Sequence, residues 1–91
     1  MDAGEAVVFY DPVIRSECSH LFFTLGCHSL LELEDLVQEA RVRIIREWSA
    51  IADRPDRYIA PIVRLSARRA VQRVVLRARR QAIPTRDFTD A

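Results

Sequence analysis

"LELEDLVQEARVRIIREW", residues Leu31 to Trp48, starts acidic, ends basic, and places an apolar residue at every third or fourth position. That period is helical, since a strand would alternate every second residue. Ser29, just before it, and Glu32, its second residue, have the S-x-x-E spacing of a capping box, so a helix is expected from Ser29 to about Trp48 or Ile51. Leu33, Val37, Ala40, Ile44 and Trp48 fall on one face and form its expected core stripe. Glu34, Asp35, Gln38, Glu39, Arg41 and Arg46 lie largely outside that stripe.

Two further helices flank this one. Upstream, Asp11 has the chemistry of an N-cap and Pro12 that of a first helical residue, so "PVIRSECSHLFFTL" is expected to run as a helix to about Gly26. Val13, Ile14, Leu21, Phe22 and Leu25 give it a buried side, and Val7 to Phe9 add an earlier turn. Downstream, "ADRPDRY" breaks the pattern at Pro55. The third helix is expected from about Tyr58 or Ala60 to Gln81, a start that keeps Pro61 in the first turn, where it is tolerated. Val63, Ala67, Ala70, Val71, Val74 and Ala78 form its apolar stripe. The expected fold is all-α, a compact bundle of three to four helices over residues 1–81, with 82–91 as a linker-like tail.

A chain of 91 residues is one domain with a small core, too small for a deep catalytic cleft. No nucleophile with a neighbouring base, Gly-rich phosphate loop or HExxH-type element occurs, so no enzymatic activity and no cofactor is expected. No run approaches a membrane span, and the acidic N-terminus is unlike a secretory signal, so the reading is cytoplasmic, without a membrane partner. Cys18, His20, Cys27 and His28 are four zinc-competent side chains within eleven residues. On a helix, however, Cys18 and His20 diverge by about 200°, which favours packed thiols over a metal site.

The charge distribution is more informative than its sum. Residues 1–56 carry 11 acids and 5 arginines, residues 57–91 carry 9 arginines and 2 acids, and the net charge is only +1. There is no lysine, and seven arginines fall between Arg64 and Arg80: Arg64, Arg68, Arg69, Arg73, Arg77, Arg79 and Arg80. Such a helix suits a phosphate backbone, with affinity that falls steeply as salt rises. Arg64, Arg68 and Gln72 follow at i, i+4 and i+8 on one strip, and both residue types can read base edges.

"LEDLVQEARVRIIREW" resembles the second conserved region of bacterial RNA polymerase sigma factors, the extracytoplasmic-function group in particular, whose helix carries a D-L-V-Q-E core. The likeness covers about Phe9 to Arg80 and is strongest at Asp35 to Glu39. It implies that Asp35, Gln38 and Glu39, with Arg41 and Arg46 at the periphery, contact the clamp helices of core RNA polymerase. It implies further that Tyr58 and the arginine helix, through Arg64, Arg68, Arg69, Gln72, Arg73 and Arg77, face minus-ten promoter DNA. The match departs from the family where Pro61 stands for its tryptophan, Arg68 for its asparagine and Gln72 for a later aspartate. The region that reads the minus-thirty-five element is not in this sequence, which implies a second subunit supplying it, or a role as a sigma-competing regulator. The reading from charge alone leaves another class open: a helical interaction module with no part in transcription, docking through its acidic and basic faces.

Overall fold

The computed structural model describes residues 1–26 and 31–82, which form four helices. They are α1 (Ala3–Phe9), α2 (Asp11–Thr24), α3 (Leu33–Ala52) and α4 (Asp56–Ala82). The all-α bundle expected from periodicity is the fold. The expected tail, apart from Ala82, lies outside the described residues.

Each helix start has a local cause. The turn expected at Val7 to Phe9 is a full helix because Asp2 and Glu5 form a reciprocal cap. Asp2 Oδ1 accepts from the Glu5 N–H at 2.8 Å, and Glu5 Oε1 from the Asp2 N–H at 3.0 Å. α2 is capped by Tyr10 rather than by Asp11. The Tyr10 N–H still donates to Ala6 at 2.9 Å while its carbonyl already accepts from Ile14 at 3.0 Å, so the two helices share this residue as a hinge. That frees the Asp11 carboxylate for side-chain partners. The helix ends at Thr24 with Leu25 as its C-cap, and Gly26 follows with a φ of 60°, in the left-handed region that glycine adopts without steric cost.

α3 starts one turn later than the S-x-x-E spacing suggests. Glu32, expected inside the first turn, is the N-cap, and Asp35 Oδ2 accepts from its N–H at 3.3 Å. The E-x-x-D spacing repeats the same capping logic three residues on, in a run where acids occupy both frames. Ser29 lies outside the described residues. α4 starts earlier than expected, at Asp56, with the Tyr58 N–H bonded to the Pro55 carbonyl at 2.8 Å. Pro61 is therefore inside the helix, where its missing N–H leaves the Arg57 carbonyl without its usual donor.

α4 packs along α3 and α2, and α1 closes the far side of α3. Ile14, Leu36, Val37, Ile44, Val63 and Val71 are fully buried at the centre. Each aliphatic side chain removed from water there stabilises the bundle by about 1.5–3 kcal/mol. Trp48 is 7% exposed, its indole N–H donates to the Met1 carbonyl at 3.0 Å, and its ring lies 6.3 Å from that of Tyr10. It fastens α1 to α3.

Candidate functional site

The exposed half of α3 divides into three strips. Asp35, Gln38, Glu39, Val42 and Arg46 recur at helical spacing on the outermost strip, and all are exposed. Val42 and Ile45 leave 45% and 48% of their surface in water in the middle of this face, so its chemistry is acid, then apolar, then basic. Arg41, expected at the periphery of the same surface, is about 140° around the helix from Arg46. It points to α2, where it donates to Asp11 Oδ1 at 2.5 Å. Glu34 sits on that edge too and takes Arg15 at 2.7 Å. The opposite edge carries Arg43 and Glu47, paired at 3.1 Å.

The arginines of α4 also sort by edge. On the side of α2, Arg68 Nε lies 2.8 Å from Glu17 Oε1 and Arg64 Nη1 3.7 Å from Oε2. The Glu17 side chain is only 4% exposed, while the arginines are about half exposed. The two guanidiniums most suggestive of base reading are thus counter-ions to a buried carboxylate. A lone ionised glutamate there would be strongly unfavourable, so the pairing holds α4 to α2. Arg79 adds a bond to the Leu25 carbonyl at 2.5 Å, satisfying the C-terminus of α2.

On the side of α3, Arg69, Arg73 and Arg77 form no ion pair among the described residues and line two adjoining hollows between α3 and α4. Arg46 and Arg54 reach the same groove from α3 and the turn after it. Glu47 is held by Ser66 Oγ, which donates at 2.6 Å, and by Arg43. These two partners keep its carboxyl below the usual glutamate range. Tyr58 and Gln72 face outward, with the Arg57 guanidinium 4.9 Å from the centre of the Tyr58 ring. The expected DNA-facing residues thus fall into a tethered pair, Arg64 and Arg68, an open row, Arg69, Arg73 and Arg77, and an outer set, Tyr58 and Gln72.

Of the four zinc-competent side chains, Cys27 and His28 lie outside the described residues. Cys18 is fully buried, and the loss of hydration pushes its thiol up to about 11, the behaviour of a packed thiol. His20 is exposed.

Glu17 is the residue sequence reasoning passed over. The signal was present: Glu17 shares helical spacing with Ile14, Cys18 and Leu21, so an acid occupies a core position. Val42 and Ile45, the apolar centre of the exposed α3 face, were passed over too, although they interrupt an otherwise polar strip. No protein-family model, curated protein or solved structure matches the chain.

Proposed function

We propose that the chain is a binding module rather than an enzyme, a sigma-like region-two domain. In this reading it docks on the clamp helices of core RNA polymerase through the outer strip of α3 and binds minus-ten promoter DNA along α4. The observation that carries the reading is the joint exposure of Asp35, Gln38 and Glu39 with Val42 and Ile45 on one face. A protein partner rich in arginine meets acids at one end of such a face and an apolar patch at its centre, the usual anatomy of a contact surface. Arg46 closes the basic end of the strip. Arg41 drops out of this reading because its guanidinium is committed to Asp11.

For DNA, the open row Arg69, Arg73 and Arg77 supplies the phosphate contacts, with Tyr58 and Gln72 exposed beside it. Arg64 and Arg68 contribute positive potential while serving mainly to hold α4 in position. As an initiation factor this domain would act together with a region that reads the minus-thirty-five element, and as a sigma competitor it would need none. The apolar patch on α3 equally fits a helical interaction module with a partner outside transcription, the second reading.

Gln38→Arg with Glu39→Arg tests the polymerase contact. Asp35 is left alone because its carboxylate caps α3. The double variant should keep its helicity and lose binding to bacterial core RNA polymerase by at least about tenfold, or 1.4 kcal/mol. Undiminished binding by the folded variant would remove the α3 strip from the interface.

A further inference from the structure

The groove between α3 and α4 has a chemistry of its own. Its two hollows, of about 370 and 530 Å³, meet at Arg46 and Glu47 and follow α4 from Ile62 to Arg77. That is about 22 Å of helix, a length that fits roughly four turns of another helix. Val42, Ile62, Leu65 and Val74 supply an aliphatic floor, all four at least partly exposed. Around it stand Arg46, Arg54, Arg69, Arg73 and Arg77, none with an ion pair among the described residues. The acids of the groove are Glu39 and Glu47, and Glu47 is already held by Ser66 and Arg43.

We infer that this groove receives an acidic amphipathic helical segment of a partner protein, laid antiparallel or parallel to α4 with its apolar side on the aliphatic floor. The charge complementarity is plain: five guanidiniums without an ion pair among the described residues frame the floor, Arg69 among them lying near Glu47, and a carboxylate-bearing segment would neutralise them. The composition of the floor selects peptide over nucleic acid. Sites that hold single strands without sequence preference combine a basic groove with aromatic stacking faces. No aromatic residue lines either hollow, and Tyr58 lies outside both. Because Arg69, Arg73 and Arg77 belong both to this groove and to the DNA face proposed above, an acidic partner and DNA would exclude one another. Glu39, Val42 and Arg46 belong to the polymerase-docking strip as well, whereas Arg54, Ile62, Leu65 and Val74 lie outside that strip.

The test uses the whole chain and fluorescein-labelled peptides of about 16 residues, long enough for four turns. One has glutamates with leucines at helical spacing, one has the same composition scrambled, and a third probe is oligothymidylate of about 12 nucleotides. The periodic peptide should bind at least about tenfold tighter than the scrambled one, and Arg54→Glu with Arg69→Glu should remove that advantage. Val42→Asp, on the other wall, should do the same, with circular dichroism checking that each variant is folded. Equal affinity for the two peptides, tighter binding of oligothymidylate, or unchanged binding by the folded variants would each overturn the inference. Gln38→Arg, outside the groove, should leave peptide binding intact, which separates failure here from failure of polymerase docking.

Discussion

Glu17 and its two arginines decide how far α4 can be read as a free basic surface. Periodicity identified Val63, Ala67, Ala70 and Val71 in the core of α4, while Val75 and Ile59 are buried in place of Val74 and Ala78, which are only partly so. The counter-ion of Arg64 and Arg68 lies about fifty residues away in sequence, and no pattern within α4 points to it. Arg68→Ala leaves a buried carboxylate short of its nearest partner. It should lower stability by about 1–3 kcal/mol, seen as a lower urea midpoint with an unchanged m value. An equal loss from Arg73→Ala, which has no such partner, would contradict this division of roles. The carboxylates make a second residue-scale prediction. Asp11 is held below the ordinary aspartate range first by Arg41 and then by Arg15, and Glu47 by Ser66 and Arg43. A carboxyl with a depressed folded-state pKa stabilises the protein above its unfolded pKa and ceases to as pH falls through the folded one. Thermal stability should therefore decline below about pH 4.5, through the pKa range of unfolded carboxylates. Asp11→Asn and Glu47→Gln should flatten that acid limb, measured by melting temperature against pH.

At the scale of elements, the sequence was legible in its interiors and less so at its ends. Val37, Ala40, Ile44 and Trp48 were readable as the buried stripe of α3 because a 3.6-residue period leaves few alternatives. Leu36 and Ile51 are buried as well, since α1, α2 and α4 cover a wider arc of α3 than a single stripe requires. The ends moved because several capping residues competed: Tyr10 displaced Asp11, Glu32 took the cap of α3, and α4 began at Asp56 despite Pro61. Tertiary packing of Ile59 and Val63 tolerates the lost bond at Pro61. Pro61→Ala restores that donor on an exposed position and should stabilise the protein by roughly 1–3 kcal/mol. A drop in melting temperature for this variant would show that the proline is needed where it stands.

Across the whole molecule, the polarised charge of the sequence is partly folded back on itself. Arg15 and Arg41 are paired with acids of α2 and α3, and Arg64 and Arg68 with Glu17, so the α3–α4 groove and the outer face of α4 hold the uncommitted arginines. Composition showed the imbalance but not which charges cancel, because that depends on how the helices meet. Of the proposed contacts, the outer strip of α3 was readable in sequence as a polar face interrupted by Val42 and Ile45, and their exposure at its centre follows from how the helices pack. Binding to a minus-ten single strand should weaken linearly in log affinity against log salt, with a slope near −0.7 for each phosphate neutralised. Arg73→Ala with Arg77→Ala should reduce that slope by about 1.4, measured by fluorescence anisotropy. Binding of the purified chain to bacterial core RNA polymerase, in competition with a principal sigma factor at moderate salt, tests the proposed role most directly. Displacement of that factor in proportion to added protein is the expected result; binding without displacement, or no binding by the folded protein, would contradict docking on the clamp helices.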